Sequence, residues 1–141
     1  MDNVPVSGQR LWDSLMDMAR IGATAKGGCN RPTLTDLDSE GRHLLRRWCE
    51  ALGLTMTVDR VGNMVFRREG TDPARKPVAI GSHLDTQPTG GRFDGVLGVL
   101  AGLETLRAMH EAGLRTRAPI VLINWTNEEG ARFSPPMMGS G

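Results

Sequence analysis

Hydrophobic positions recur along this chain with two different periods, and the switch between them marks its elements. Behind Ser7, whose hydroxyl suits a helix cap, Leu11, Leu15 and Met18 repeat at helical spacing and predict a first helix over residues 8–21. Residues 22–32 hold three glycines and a proline and read as a loop. Thr35, with Asp36 and Asp38 just after it, supplies the cap and the negative charge that favour a helix start. Leu37, Leu44, Leu45, Trp48 and Leu52 make the apolar stripe of this second helix, and Gly53 stops it.

The period then changes. Residues 54–59 and 63–68 flank Arg60-Val61-Gly62 and read as two short strands in a hairpin. A polar linker over 69–76 leads to an unbroken apolar run, 77–81, of the kind a buried strand shows. Residues 94–112 carry the longest helical pattern, with Val96, Val99, Leu100, Leu103 and Leu106 inward and Gly113 at the end. Residues 119–125 form a second continuous apolar strand. Strand, long helix, strand is a βαβ unit, which predicts a parallel pair joined by a right-handed crossover. The fold class is α/β, in one domain.

Composition narrows the function. Lys and Arg number 17 against 16 Asp and Glu, with no basic block, so nucleic acid is not an expected partner. Apolar stretches fall far short of the roughly 18 residues that span a bilayer, and residues 1–10 lack a secretory pattern. Cys29 and Cys49 form no metal-type pair and read as reduced thiols of a cytoplasmic protein. The chain stops at Met137-Met138-Gly139-Ser140-Gly141, straight after a dense polar motif, which reads as a cut in a longer protein.

Chemistry gathers where the two apolar strands end. The first runs into Ser82-His83-Leu84-Asp85-Thr86 and the second into Thr126-Asn127-Glu128-Glu129-Gly130, while Asp94 opens the long helix between them. Ligands in open α/β sheets collect outside the carboxyl ends of strands, so His83, Asp94 and Glu129 are expected on one rim. Imidazole with carboxylates suits Zn²⁺ or Mn²⁺. Asp85, two residues beyond His83 on an extended segment, shares its face and can hold the second ring nitrogen. Asp94 can bridge two metals, and Glu129 can bind one while Glu128 takes a proton from the bridging water. Spacing alone leaves two readings open, a metal site and an ordinary polar rim.

Three segments resolve the choice by resemblance. Gly81-Ser82-His83-Leu84-Asp85-Thr86-Gln87-Pro88, the run from Gly90 to Val99, and Asn127-Glu128-Glu129-Gly130-Ala131-Arg132-Phe133 resemble the hydantoinase/carbamoylase family, relatives of metal-dependent aminopeptidases. The resemblance implies a partial three-layer α/β catalytic domain with a mixed, largely parallel sheet, its lid domain absent. It implies two divalent metal ions, Zn or Mn, held by His83, bridging Asp94 and Glu129. Glu128 is then the general base and Asp85 the support of His83. It also implies a cis peptide between Asp94 and Gly95. The implied substrate is a small N-carbamoyl amino acid or ureide, and the full-length protein is expected to be a homodimer.

Family members supply two further histidine ligands from sequence after this point. His43 and His110 match no family motif and read as surface residues. The chain therefore holds half a metal site and is expected to bind metal weakly and not to turn over substrate. The alternatives are a metallo-aminopeptidase or allantoate-type hydrolase of the same superfamily and, in another class, a catalytically silent truncated domain acting through a partner.

Overall fold

The computed structural model describes residues 4–141. Residues 1–3, part of the stretch 1–10 read above for a secretory pattern, lie outside the described residues. Helix α1 spans Gly8–Arg20, and the Ser7 hydroxyl caps it by accepting from the Arg10 N–H. Helix α2 spans Asp36–Glu50, with Thr35 accepting from the Asp38 N–H. Both helices start where their capping side chains predict, because the cap satisfies a donor that the helix itself leaves free.

Strands β1 (Thr55–Val58) and β2 (Met64–Arg68) form the expected antiparallel hairpin. Strand β3 (Val78–His83), helix α3 (Val96–Glu111) and strand β4 (Ile120–Trp125) form the expected βαβ unit, with β3 and β4 parallel. The sheet order is β1-β2-β4-β3. The sheet is mixed, and its parallel part is confined to β3–β4, since β2 pairs antiparallel with both β1 and β4.

Every helix feeds one core. Leu15 and Met18 of α1, Leu45 and Cys49 of α2, and Val99, Leu100, Leu103 and Leu106 of α3 meet Met64, Phe66, Ile120 and Leu122 of the sheet. These sheet residues alternate along their strands and so share a face. Val65, Val121 and Ile123 point the other way and stand outside that cluster, so the described residues supply two of the three expected layers.

Local boundaries differ in instructive ways. Ser82 and His83 extend β3 two residues past the apolar run, because they pair with Asn124 and Trp125 of β4. Asp94 does not open α3: the helix begins at Val96, behind Gly95 at φ 67°. Leu37 is 37% exposed, because it lies off the face of α2 that buries Asp38, Gly41, Leu45 and Cys49. Cys29 and Cys49 are free, buried thiols. No helix among the described residues is long and apolar enough to cross a membrane.

Candidate functional site

His83 closes β3 as a buried residue, and both its ring nitrogens are engaged. Nδ1 lies 2.9 Å from the main-chain oxygen of Asp85. A carbonyl oxygen only accepts, so Nδ1 carries a hydrogen, and in the neutral ring the lone pair is on Nε2. Nε2 in turn lies 3.3 Å from Oε2 of Glu128. A lone pair and a carboxylate oxygen repel unless a proton or a cation lies between them.

Asp85 supports this arrangement through different atoms from those expected. Its carboxylate stands 3.7 Å from His83 Nδ1, beyond hydrogen-bond reach. Oδ1 accepts instead from the Glu128 N–H at 3.3 Å and Oδ2 from the Glu129 N–H at 3.2 Å. The carboxylate thereby ties the exit of β3 to the exit of β4. Burial pushes the Asp85 carboxyl above its ordinary range, against the pull of those two N–H groups and of His83.

The turn that presents Glu128 and Glu129 is shaped by Asn127. Its φ of 54° puts it in the left-handed region, which asparagine tolerates better than most residues. Its side-chain amide donates to the carbonyls of Phe133 at 2.8 Å and Pro135 at 3.1 Å. Glu129 accepts from the Gln87 amide at 3.0 Å, an exposed contact across the rim. Asn124, a buried amide inside an apolar strand, accepts the Leu84 N–H at 2.9 Å and so steadies the residue between His83 and Asp85.

Gly95 explains how the start of α3 approaches so closely. A Cβ there would stand 2.4 Å from the His83 ring, and its φ of 67° disfavours any other residue. The glycine backbone lies against the imidazole and brings Asp94, with its exposed carboxylate, to the same rim. The Asp94–Gly95 peptide is trans; the cis bond among the described residues joins Ser134 and Pro135. Glycine reaches the left-handed region without a cis bond, which for a non-proline peptide costs about 2.5–4 kcal/mol.

The structure thus brings His83, Asp85, Glu128 and Glu129 together, with Asp94 alongside. Among the described residues no three His, Cys, Asp or Glu side chains stand close enough to hold one metal ion. The donor chemistry fits a divalent cation, through the Nε2 lone pair opposite Glu128, while the donor set is incomplete. His43 and His110 lie on exposed helix surfaces. Two contributors carry little or no sequence signal. Asn124 stands near the end of an apolar strand, where a polar residue is the one hint, and Arg31 lies in a loop that offers none.

Known proteins place this rim in context. The family described as Peptidase family M20/M25/M40 matches residues 79–141, which span β3 through the Glu128–Glu129 turn. Over 140 residues the chain is 62% identical to N-carbamoyl-L-amino-acid amidohydrolase of Rhizobium meliloti, covering 99% of this chain and 34% of that protein. It is 42% identical over 135 residues to N-carbamoyl-L-amino acid amidohydrolase of Geobacillus stearothermophilus, covering 96% of this chain and 33% of that protein. A crystal structure of a hydantoinase/carbamoylase family amidase from Burkholderia ambifaria matches with a TM-score of 0.97 at 58% identity, covering 99% of this chain and 34% of that one. The chain spans about a third of the length of these relatives. Sequence identity and fold agree: the chain belongs to the hydantoinase/carbamoylase family.

Proposed function

We propose that this chain is the N-terminal part of the catalytic domain of a metal-dependent hydrolase that cleaves the carbamoyl C–N bond of N-carbamoyl amino acids. One observation carries the reading: 62% identity along 99% of the chain to a protein of that activity. The paired strand ends, where Nε2 of a buried imidazole faces the Glu128 carboxylate, support it. The full-length protein is proposed to work in the cytoplasm as a homodimer.

His83, Asp94 and Glu129 are the residues that would hold divalent metal, Zn or Mn, with further ligands from outside this chain. Bound metal supplies Lewis acidity and lowers the pKa of a water molecule. The chain's own residues do the rest. The Asp85 carbonyl fixes the His83 tautomer, so that Nε2 offers a lone pair. The Asp85 carboxylate, by holding the N–H groups of Glu128 and Glu129, aims their side chains at the rim. Glu128 accepts the proton of the attacking water as a new C–O bond forms at the carbamoyl carbon. It then passes that proton to the departing nitrogen, which leaves as the amino acid's amine. The carbamic acid left behind breaks down to CO₂ and ammonia.

The test compares the 141-residue chain with any longer protein encoded by the same reading frame, measuring bound metal and ammonia release from N-carbamoyl amino acids. The expected result is turnover only in the longer protein, with Glu128→Gln abolishing it while metal stays bound. A longer protein that is fully metal-loaded, inert on carbamoyl amino acids and active on dipeptides or ureides overturns the substrate class.

A further inference from the structure

Arg31 heads the largest fully buried side chains among the described residues, and it lies behind the rim rather than in it. Its Nε donates to the Leu84 carbonyl at 3.0 Å, between His83 and Asp85. Its Nη1 donates to the carbonyls of Met18 at 3.1 Å and Ile21 at 2.6 Å, at the C-terminal end of α1, and contacts Cys29 Sγ at 3.3 Å. Its main chain grips the same segment again: the Arg31 N–H donates to Thr86 Oγ1 at 2.7 Å, and the Thr86 N–H donates to the Arg31 carbonyl at 3.0 Å. Arg31 therefore holds the segment 84–86 at both ends from its buried side, beside the Asn124 bond to the Leu84 N–H.

That residue is an expensive way to fill a core. Burial works against its charge, and the contact with Cys29 and the through-space pull of Asp38 and Asp85 offset this only in part. Nη2 has no partner. An apolar side chain of similar length packs such a site at no charge penalty and is often neutral or stabilising there. What an apolar side chain cannot do is bind three carbonyl oxygens at fixed angles, which the planar guanidinium does.

We propose that Arg31 is a positioning residue for the candidate active site: by clamping the Leu84 carbonyl and Thr86 to the end of α1, it sets the orientation of the His83 imidazole and the Asp85 carboxylate. The clamp fixes the segment on which both residues sit, so the Asp85 carbonyl stays within 2.9 Å of His83 Nδ1. This inference rests on the functional reading above in one respect, that His83 Nε2 is a metal ligand.

The experiment uses the 141-residue chain labelled with ¹⁵N-histidine, with the ring signals of His83 recorded at constant pH and Zn²⁺ affinity measured by calorimetry. The unsubstituted chain should show a single His83 tautomer, protonated on Nδ1. Arg31→Met should mix the tautomers and weaken Zn²⁺ binding about 10–100-fold, the range for losing a group that orients a metal ligand. Arg31→Lys should recover part of both. Leu106→Ala, a core change near the far end of α3, should lower the melting temperature while leaving the ring signals alone. If Arg31→Met does not fold, Thr86→Val removes one contact of the clamp and should shift the same signals less. Unchanged ring signals and a Zn²⁺ affinity within twofold, in whichever of these clamp variants fold, overturn the proposal. If the unsubstituted chain binds no Zn²⁺ without the ligands that lie outside it, the affinities are compared in the longer protein of the same reading frame, and the tautomer signals of the 141-residue chain still judge Arg31.

Discussion

The junction of α1 with α3 and the rim at the ends of β3 and β4 both bury charge, and they treat it in opposite ways. At the junction, Glu104 accepts from the Ser7 N–H at 2.9 Å and from Arg10 Nε and Nη2 at 2.8 Å each. Arg107 stands 3.8 Å away, donates to the Ser14 hydroxyl and lies over the Trp48 ring. No buried side-chain polar atom there is without a partner among the described residues. At the rim, Nε2 of His83 faces a carboxylate, and the atoms behind it are left over. Of the buried side-chain atoms without a partner, Arg31 Nη2, Thr33 Oγ1, Asp38 Oδ1 and Asn127 Oδ1 belong to the segments backing the rim, and Arg68 Nη1 lies elsewhere. An unsatisfied buried polar atom costs about 1–3 kcal/mol. The junction pairs its charges within the chain, whereas the segments behind the rim carry that cost.

The contrast can be broken most severely through the core that the junction protects. Phe66 is fully buried, and Phe66→Ala should lose about 3–5 kcal/mol in urea unfolding. A loss below about 1 kcal/mol would mean that the helical side is not closely packed. Gly95→Ala comes next. It adds a Cβ 2.4 Å from the His83 ring at a φ of 67°, and should cost about 1–3 kcal/mol while disturbing the His83 ring signals. Unchanged ring signals would show that the backbone does not press on the imidazole.

Glu104 sharpens the comparison through pH. Burial pushes its carboxyl up, but the hydrogen bonds from Arg10 and Ser7 outweigh this and hold it below its ordinary 4.5. Its contribution is therefore present above about pH 4.5 and fades as pH falls through the lower folded-state value. Glu104→Gln should be less stable at neutral pH and should match the unsubstituted chain in strong acid. Equal acid sensitivity of the two proteins would remove Glu104 from the paired network. The smallest effect concerns Cys49, whose thiol burial pushes up to about 12. It should ignore a thiol reagent at pH 8 until the chain unfolds. Rapid labelling of the folded chain would show that this side of the molecule opens.

Much of this was legible in the order of residues. Ser7 and Thr35 start their helices by hydrogen bonds that span three residues, and apolar periodicity marked β3, α3 and β4 because each pattern repeats within one element. The motif residues at the strand ends followed from the same rule, since a βαβ unit delivers both exits to one edge. What stayed hidden depends on partners far along the chain. The Asp85 carboxylate turned from His83 to the N–H of Glu128, 43 residues away, and Arg31 found the Leu84 carbonyl 53 residues away. The hairpin strand β2 took a place beside β4, so that the sheet is antiparallel except at β3–β4. Local hydrogen bonds and periodicity are properties of a short segment and can be read from it. The partner of a buried polar group is chosen by packing, and packing exists only once distant segments have met.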